Sequence, residues 1–100
     1  MAKLALYVRL EAKPGKETAL QQFLESALPL AVNEPDTPVW FALRFGPSTF
    51  GIFDAFETEE GRQAHLNGPI AAALMSKVDE LLAVAPKIEQ VDVLAAKLSG

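Results

Sequence analysis

His65 is the only imidazole in a chain of 100 residues that contains no cysteine. An imidazole takes up or releases a proton near neutral pH, so His65 is the candidate catalytic residue, placed to orient or deprotonate a phenolic hydroxyl. The blander alternative is a helix-surface or interface histidine bonded to a neighbour. Asn67 is the one amide near it and serves either a ligand or a turn. Arg44 and Asp54 are charges inside otherwise apolar stretches. Buried charges are usually paired, so the two are expected to approach each other across a hairpin, with substrate anchoring by Arg44 as the alternative. Tyr7 offers its hydroxyl either to a ligand or to a backbone group. Trp40, Phe41, Phe45, Phe50, Phe53 and Phe56 are six of the eight aromatic residues. Most of them suit a core or a dimer interface; Trp40 and Phe53 are the candidates to line a pocket for a flat apolar ligand.

These side chains must be carried by something. Val39 to Phe45 and Phe50 to Phe56 are apolar, β-branched or aromatic runs flanking Gly46-Pro47-Ser48-Thr49, the pattern of a hairpin. Val39, Phe41, Leu43 and Phe45 point one way, Trp40 and Ala42 the other. A strand apolar on both sides must be covered on both sides. Helices of the same chain can cover one; a second copy is the simplest cover for the other. Thr58 then reads as an N-cap, with Glu59 and Glu60 at the positive end of the helix that carries His65.

Before the hairpin, residues 4–10 alternate as a first strand, with Leu4, Leu6, Val8 and Leu10 on one side and Ala5, Tyr7 and Arg9 on the other. Residues 17–32 form a helix with a stripe of Leu20, Phe23, Leu24, Ala27, Leu28 and Ala31, and Pro29 predicts a kink or early end near Ala27 or Leu28. After His65, Pro69 opens a helix over about 70–84 that Pro86 stops. Residues 87–98 are the last strand. The order βαββαβ predicts one domain over residues 1–100. Its expected fold is α+β and ferredoxin-like: a four-stranded antiparallel sheet with helices on one face, pairing with a second copy as a dimeric α/β barrel.

Composition narrows the functions. A net charge of −4 with scattered Lys and Arg argues against nucleic acid. The absence of cysteine excludes a thiolate metal site or nucleophile, and one histidine excludes a multi-histidine cage within the chain. No apolar run approaches the roughly 20 residues of a membrane span, so no membrane role and a cytoplasmic location are expected.

The opening strand LALYVRLEAKPGKE, the segment FDAFETEEGRQAH and the proline-started helix followed by KIEQVDVL together resemble the antibiotic biosynthesis monooxygenase superfamily of small dimeric α/β-barrel proteins. The resemblance covers about residues 4–95. It implies a homodimer through sheet faces and a pocket between helices and sheet. It also implies a small apolar or aromatic ligand and a monooxygenase-like reaction of an aromatic or quinol-type substrate with O2, using no cofactor and no metal. Heme-degrading members carry an asparagine on the first strand and an aromatic residue opening the middle helix. Val8 and Thr58 or Glu59 stand there instead, which argues against heme. The alternative on the same scaffold is a non-enzymatic small-ligand-binding or stress-response protein.

Overall fold

The computed structural model describes residues 2–98. Its elements run β1 (Leu4–Glu11), α1 (Glu17–Ser26), α2 (Leu28–Val32), β2 (Val39–Arg44), β3 (Thr49–Phe56), α3 (Glu59–Leu66), α4 (Pro69–Leu81) and β4 (Lys87–Asp92). The strands form one antiparallel sheet in the order β2-β3-β1-β4, the ferredoxin-like arrangement expected from the sequence. The sheet is open; the four strands do not close into a barrel within one chain.

The pleat explains the double-sided apolar pattern. Phe50, Ile52, Asp54 and Phe56 of β3 stand opposite Leu10, Val8, Leu6 and Leu4 of β1, and this side carries the helices. Phe50, Phe56, Leu6, Leu10 and Leu20 are almost wholly buried there. Leu20 and Leu24 of α1 and Leu74 and Leu81 of α4 pack onto the same layer. The other side presents Tyr7, Phe53 and Phe41, with Phe41 and Phe45 each more than half exposed. Phe45 folds back over Gly51: a Cβ there would come within 2.9 Å of its ring. The ring meets Tyr7 edge-on at 6.2 Å and lies under the Arg9 guanidinium at 5.6 Å.

The expected break in the first long helix is present, and two other expected boundaries move. The long first helix divides at Ala27, because Pro29 has no N–H for the helical ladder; α2 turns and leaves Leu28 half exposed. The second long helix ends at Leu81 rather than near Val84. Leu82 is already extended and bridges Ala12, while Lys13 N–H donates to Leu81 O and Ala83 N–H to Glu11 O. Strand pairing, not Pro86, ends α4. The last strand ends at Asp92, opposite Leu4, with one more backbone bond from Val93 N–H to Lys3 O beyond it.

Candidate functional site

Thr58 caps α3, its hydroxyl accepting the N–H of Gly61 at 3.0 Å. Arg62, almost wholly buried, docks α3 on the sheet. It makes two bonds to Glu59, at 2.7 and 2.9 Å, and reaches the carbonyls of Ala5 and Val91 at 3.4 Å. That docking sets His65, in the last turn of α3, over the end of β3, where its ring lies 5.4 Å from the Phe56 ring. Gly61 completes the placement. A Cβ there would be 3.1 Å from the Asp36 carbonyl, so glycine lets the 33–38 segment lie on α3.

His65 is held between two carboxylates. Its Nδ1 is 2.7 Å from Glu34 Oε1, and its Nε2 is 2.9 Å from Asp54 Oδ2. The Asp54 contact has the distance of an ion pair but not the alignment of a hydrogen bond. Thr37 Oγ1 donates to Glu34 Oε1 at 2.9 Å. Asp54 is 1% exposed and His65 7%. Burial is the largest influence on the imidazole and pulls its pKa down; the contacts with Asp54 and Glu34 together outweigh it, so the pKa is raised above the ordinary 6.5. The last helical turn favours the same cationic form. Among the described residues, no cluster of three such side chains is arranged to hold a metal ion.

This pairing predicts a pH dependence. A raised folded-state pKa contributes stability that is fully present below about pH 6.5 and is lost as pH rises through the folded-state value. Thermal melts should therefore show the melting temperature falling as pH is raised from 6.5 into the alkaline range. That part of the slope should vanish in His65→Ala.

The imidazole separates two cavities. The inner one, of about 30 Å³, lies between sheet and helices and is walled by Leu6, Ile52, Asp54, Ile70, Leu74 and Ile88. Asp54 Oδ1 is buried with no hydrogen-bond partner among the described residues. The outer one, of about 110 Å³, is bounded by Glu34, Asp36, Thr37, Gly61 and Pro69. Glu34 Oε2 is likewise buried without a partner.

The residues singled out from the sequence do not converge on one cavity. Trp40 shares the helix side of the sheet with Asp54, its register partner, but packs beneath α2 against Ala27, Ala31 and Ile70. Its indole N–H is buried without a partner. Tyr7 and Phe53 stand on the opposite side of the sheet from His65. Asn67 is the C-cap of α3 and donates to Gln63 O at 3.0 Å. Arg44 does not pair with Asp54. Arg44 is opposite Phe50 and Trp40 is opposite Asp54, four rungs or about 14 Å apart along the strand. The Arg44 guanidinium instead lies 5.2 Å over the Phe50 ring, beside a separate cavity of about 180 Å³ with Gln21 and Glu25. Asp54 had the sequence signal of a charge inside an otherwise apolar strand, which pointed to Arg44 as its partner rather than to His65. Glu34 had none, because its role depends on where the 33–38 segment lands.

No family model and no curated protein matches the sequence. Among solved structures, a Nitrosomonas europaea protein of unknown function is 67% identical, with all of this chain and 97% of that one covered, at a TM-score of 0.97. A candidate antibiotic biosynthesis monooxygenase from Nitrosomonas europaea is 18% identical over 92% of this chain and 99% of that one, at a TM-score of 0.82. Another, from Caulobacter crescentus, is 18% identical over 94% and 92%, at 0.78. At that identity the likeness is one of fold.

Proposed function

We propose, from the premise that this chain belongs to one family with the Nitrosomonas europaea protein of unknown function and has the fold of the antibiotic biosynthesis monooxygenases, that it oxidises a small aromatic or quinol-type substrate with O2. The observation that carries this reading is Asp54 Oδ1, a buried, unpartnered carboxylate oxygen beside an apolar cavity, backed by His65. In low dielectric such an oxygen is a strong acceptor for a phenolic or enolic O–H. The O–H bond breaks, the proton goes to Asp54 Oδ1, and the electron pair stays on the substrate. The anion supplies the electrons that reduce O2. For a ring methylene that becomes a carbonyl, one oxygen atom joins the carbon and the other leaves with the two hydrogens as water. His65 and Glu34 hold Asp54 in place, and the apolar walls keep bulk water from the anion.

A second reading on the same scaffold is a non-enzymatic ligand-binding protein, and the size of the inner cavity constrains both readings alike. An apolar cavity that holds benzene measures about 150 Å³, against about 30 Å³ here. A ring enters only if a wall moves, and Ile88, 45% exposed on the edge strand β4, is the wall nearest solvent. Oxygen uptake with a panel of hydroquinones and anthrone-like phenols separates the two. Uptake above the protein-free rate supports the oxygenase. Ligand-raised melting temperatures without uptake support the binding protein.

The same proposal includes a homodimer through the outer sheet faces, which would close two open sheets into a barrel. Support comes from Phe41 and Phe45, exposed on that face beside Tyr7 and Phe53.

A further inference from the structure

We propose that Glu34 is the outer end of a two-carboxylate relay, in which proton uptake by Asp54 in the inner cavity drives proton release through His65 to Glu34 and the outer cavity. The observations are geometric. One imidazole forms the wall between two cavities, with one ring nitrogen against each carboxylate. Each carboxylate keeps a buried oxygen without a partner, Asp54 Oδ1 on one side and Glu34 Oε2 on the other. A purely structural ion pair needs one carboxylate for one imidazolium; the second, with a spare oxygen, provides a route onward.

The steps balance. With Asp54 and Glu34 ionised and His65 cationic, the substrate O–H bond breaks and an Oδ1–H bond forms. Neutralising Asp54 removes one of the two carboxylate charges in contact with the imidazolium. The Nδ1–H bond then breaks and the proton passes to Glu34 Oε1, 2.7 Å away. Proton exchange with water in the outer cavity restores Glu34. Once Glu34 has returned its proton to water the three side chains carry their resting total of −1 and the substrate anion adds one more, so the relay carries the substrate proton away from the inner cavity and makes its return to the anion slower.

Among the described residues few charged groups face His65. β3 contributes Asp54, and the 33–38 segment contributes Glu34 and, at the rim of the outer cavity, Asp36. On α3 itself Arg62 turns away to Glu59. β1 and α4 present apolar side chains such as Leu6, Ile70 and Leu74 to the inner cavity. The relay rests on the proposed oxygenase reading only for the identity of the proton donor.

The test uses the full chain labelled with 15N-histidine. His65 is the sole histidine, so one imidazole is seen without assignment. The expected result has both ring nitrogens protonated at neutral pH, with the titration midpoint lowered in Asp54→Asn, which mimics the protonated acid, and lowered again in Glu34→Gln. Glu34→Asp, which keeps the charge, should recover part of the shift and guards against a Glu34→Gln that folds poorly. With a turned-over substrate, Glu34→Gln should lower kcat about tenfold or more at unchanged KM, since proton transfer by a positioned group contributes at least about that much. A midpoint unmoved by either substitution overturns the relay even if oxygen uptake is found. Moved midpoints with kcat unchanged in Glu34→Gln make the pair purely structural and overturn the relay while leaving the oxygenase standing.

Discussion

His65→Ala is expected to cost about 3–5 kcal/mol of folding stability at neutral pH, because breaking a buried ion pair leaves uncompensated charge behind. Here the charge left is that of Asp54, 1% exposed, with Glu34 beside it. The imidazole also packs against Phe56, so a small void adds to the cost. For a domain of this size the loss is a large share of total stability. Equilibrium urea unfolding measures it. The origin of the loss is tested by adding Asp54→Asn to His65→Ala. Removing the orphaned charge should return part of the stability, so the double variant should be more stable than His65→Ala alone. A loss below about 1 kcal/mol would place the carboxylates in water and sink the buried network. Full turnover by a folded His65→Ala would remove the residue from any catalytic role.

The second large effect concerns the outer sheet face. Phe41→Glu is expected to abolish a dimer while leaving the single chain folded. Phe41 is 52% exposed, so a charge there meets water in the isolated chain. In a two-fold interface the same substitution appears twice, each time burying an unpaired carboxylate at a cost of several kcal/mol. Even about 2 kcal/mol at each of two sites weakens association by roughly 10³-fold. Sedimentation velocity across micromolar concentrations reads the result. The expectation is a dimer for the unsubstituted protein and a monomer for Phe41→Glu. A monomer in both would remove the sheet-face dimer, and the exposed aromatics would need another partner.

Much of the fold was legible because it depends on local periodicity. Alternation in residues 4–10, the two apolar runs around Gly46-Pro47-Ser48-Thr49 and the 3.6-residue stripe of Leu20 and Leu24 each encode an element and the face it buries. Thr58 was readable as a cap, since capping involves residues three apart. The kink at Ala27 followed from Pro29 alone. The ends of α4 and β4 were not legible, because long-range pairing sets both: Leu82 against Ala12, and Asp92 against Leu4.

The candidate site divides along the same line. The sequence by itself determined that the chain has one imidazole, that it lies near the end of a capped helix, and that Asp54 is a charge inside an otherwise apolar strand. Only the tertiary structure decided what meets what. Arg44 and Asp54 sit on one hairpin, but β-register fixes their separation at four rungs and keeps them apart. Glu34 is 31 residues from His65, yet the close approach of the 33–38 segment over Gly61 brings their side chains to 2.7 Å. Residue types and local spacing are written in the chain one turn or one strand at a time. Charge pairing acts through space over a few ångströms, so its partners are chosen only when the elements have packed.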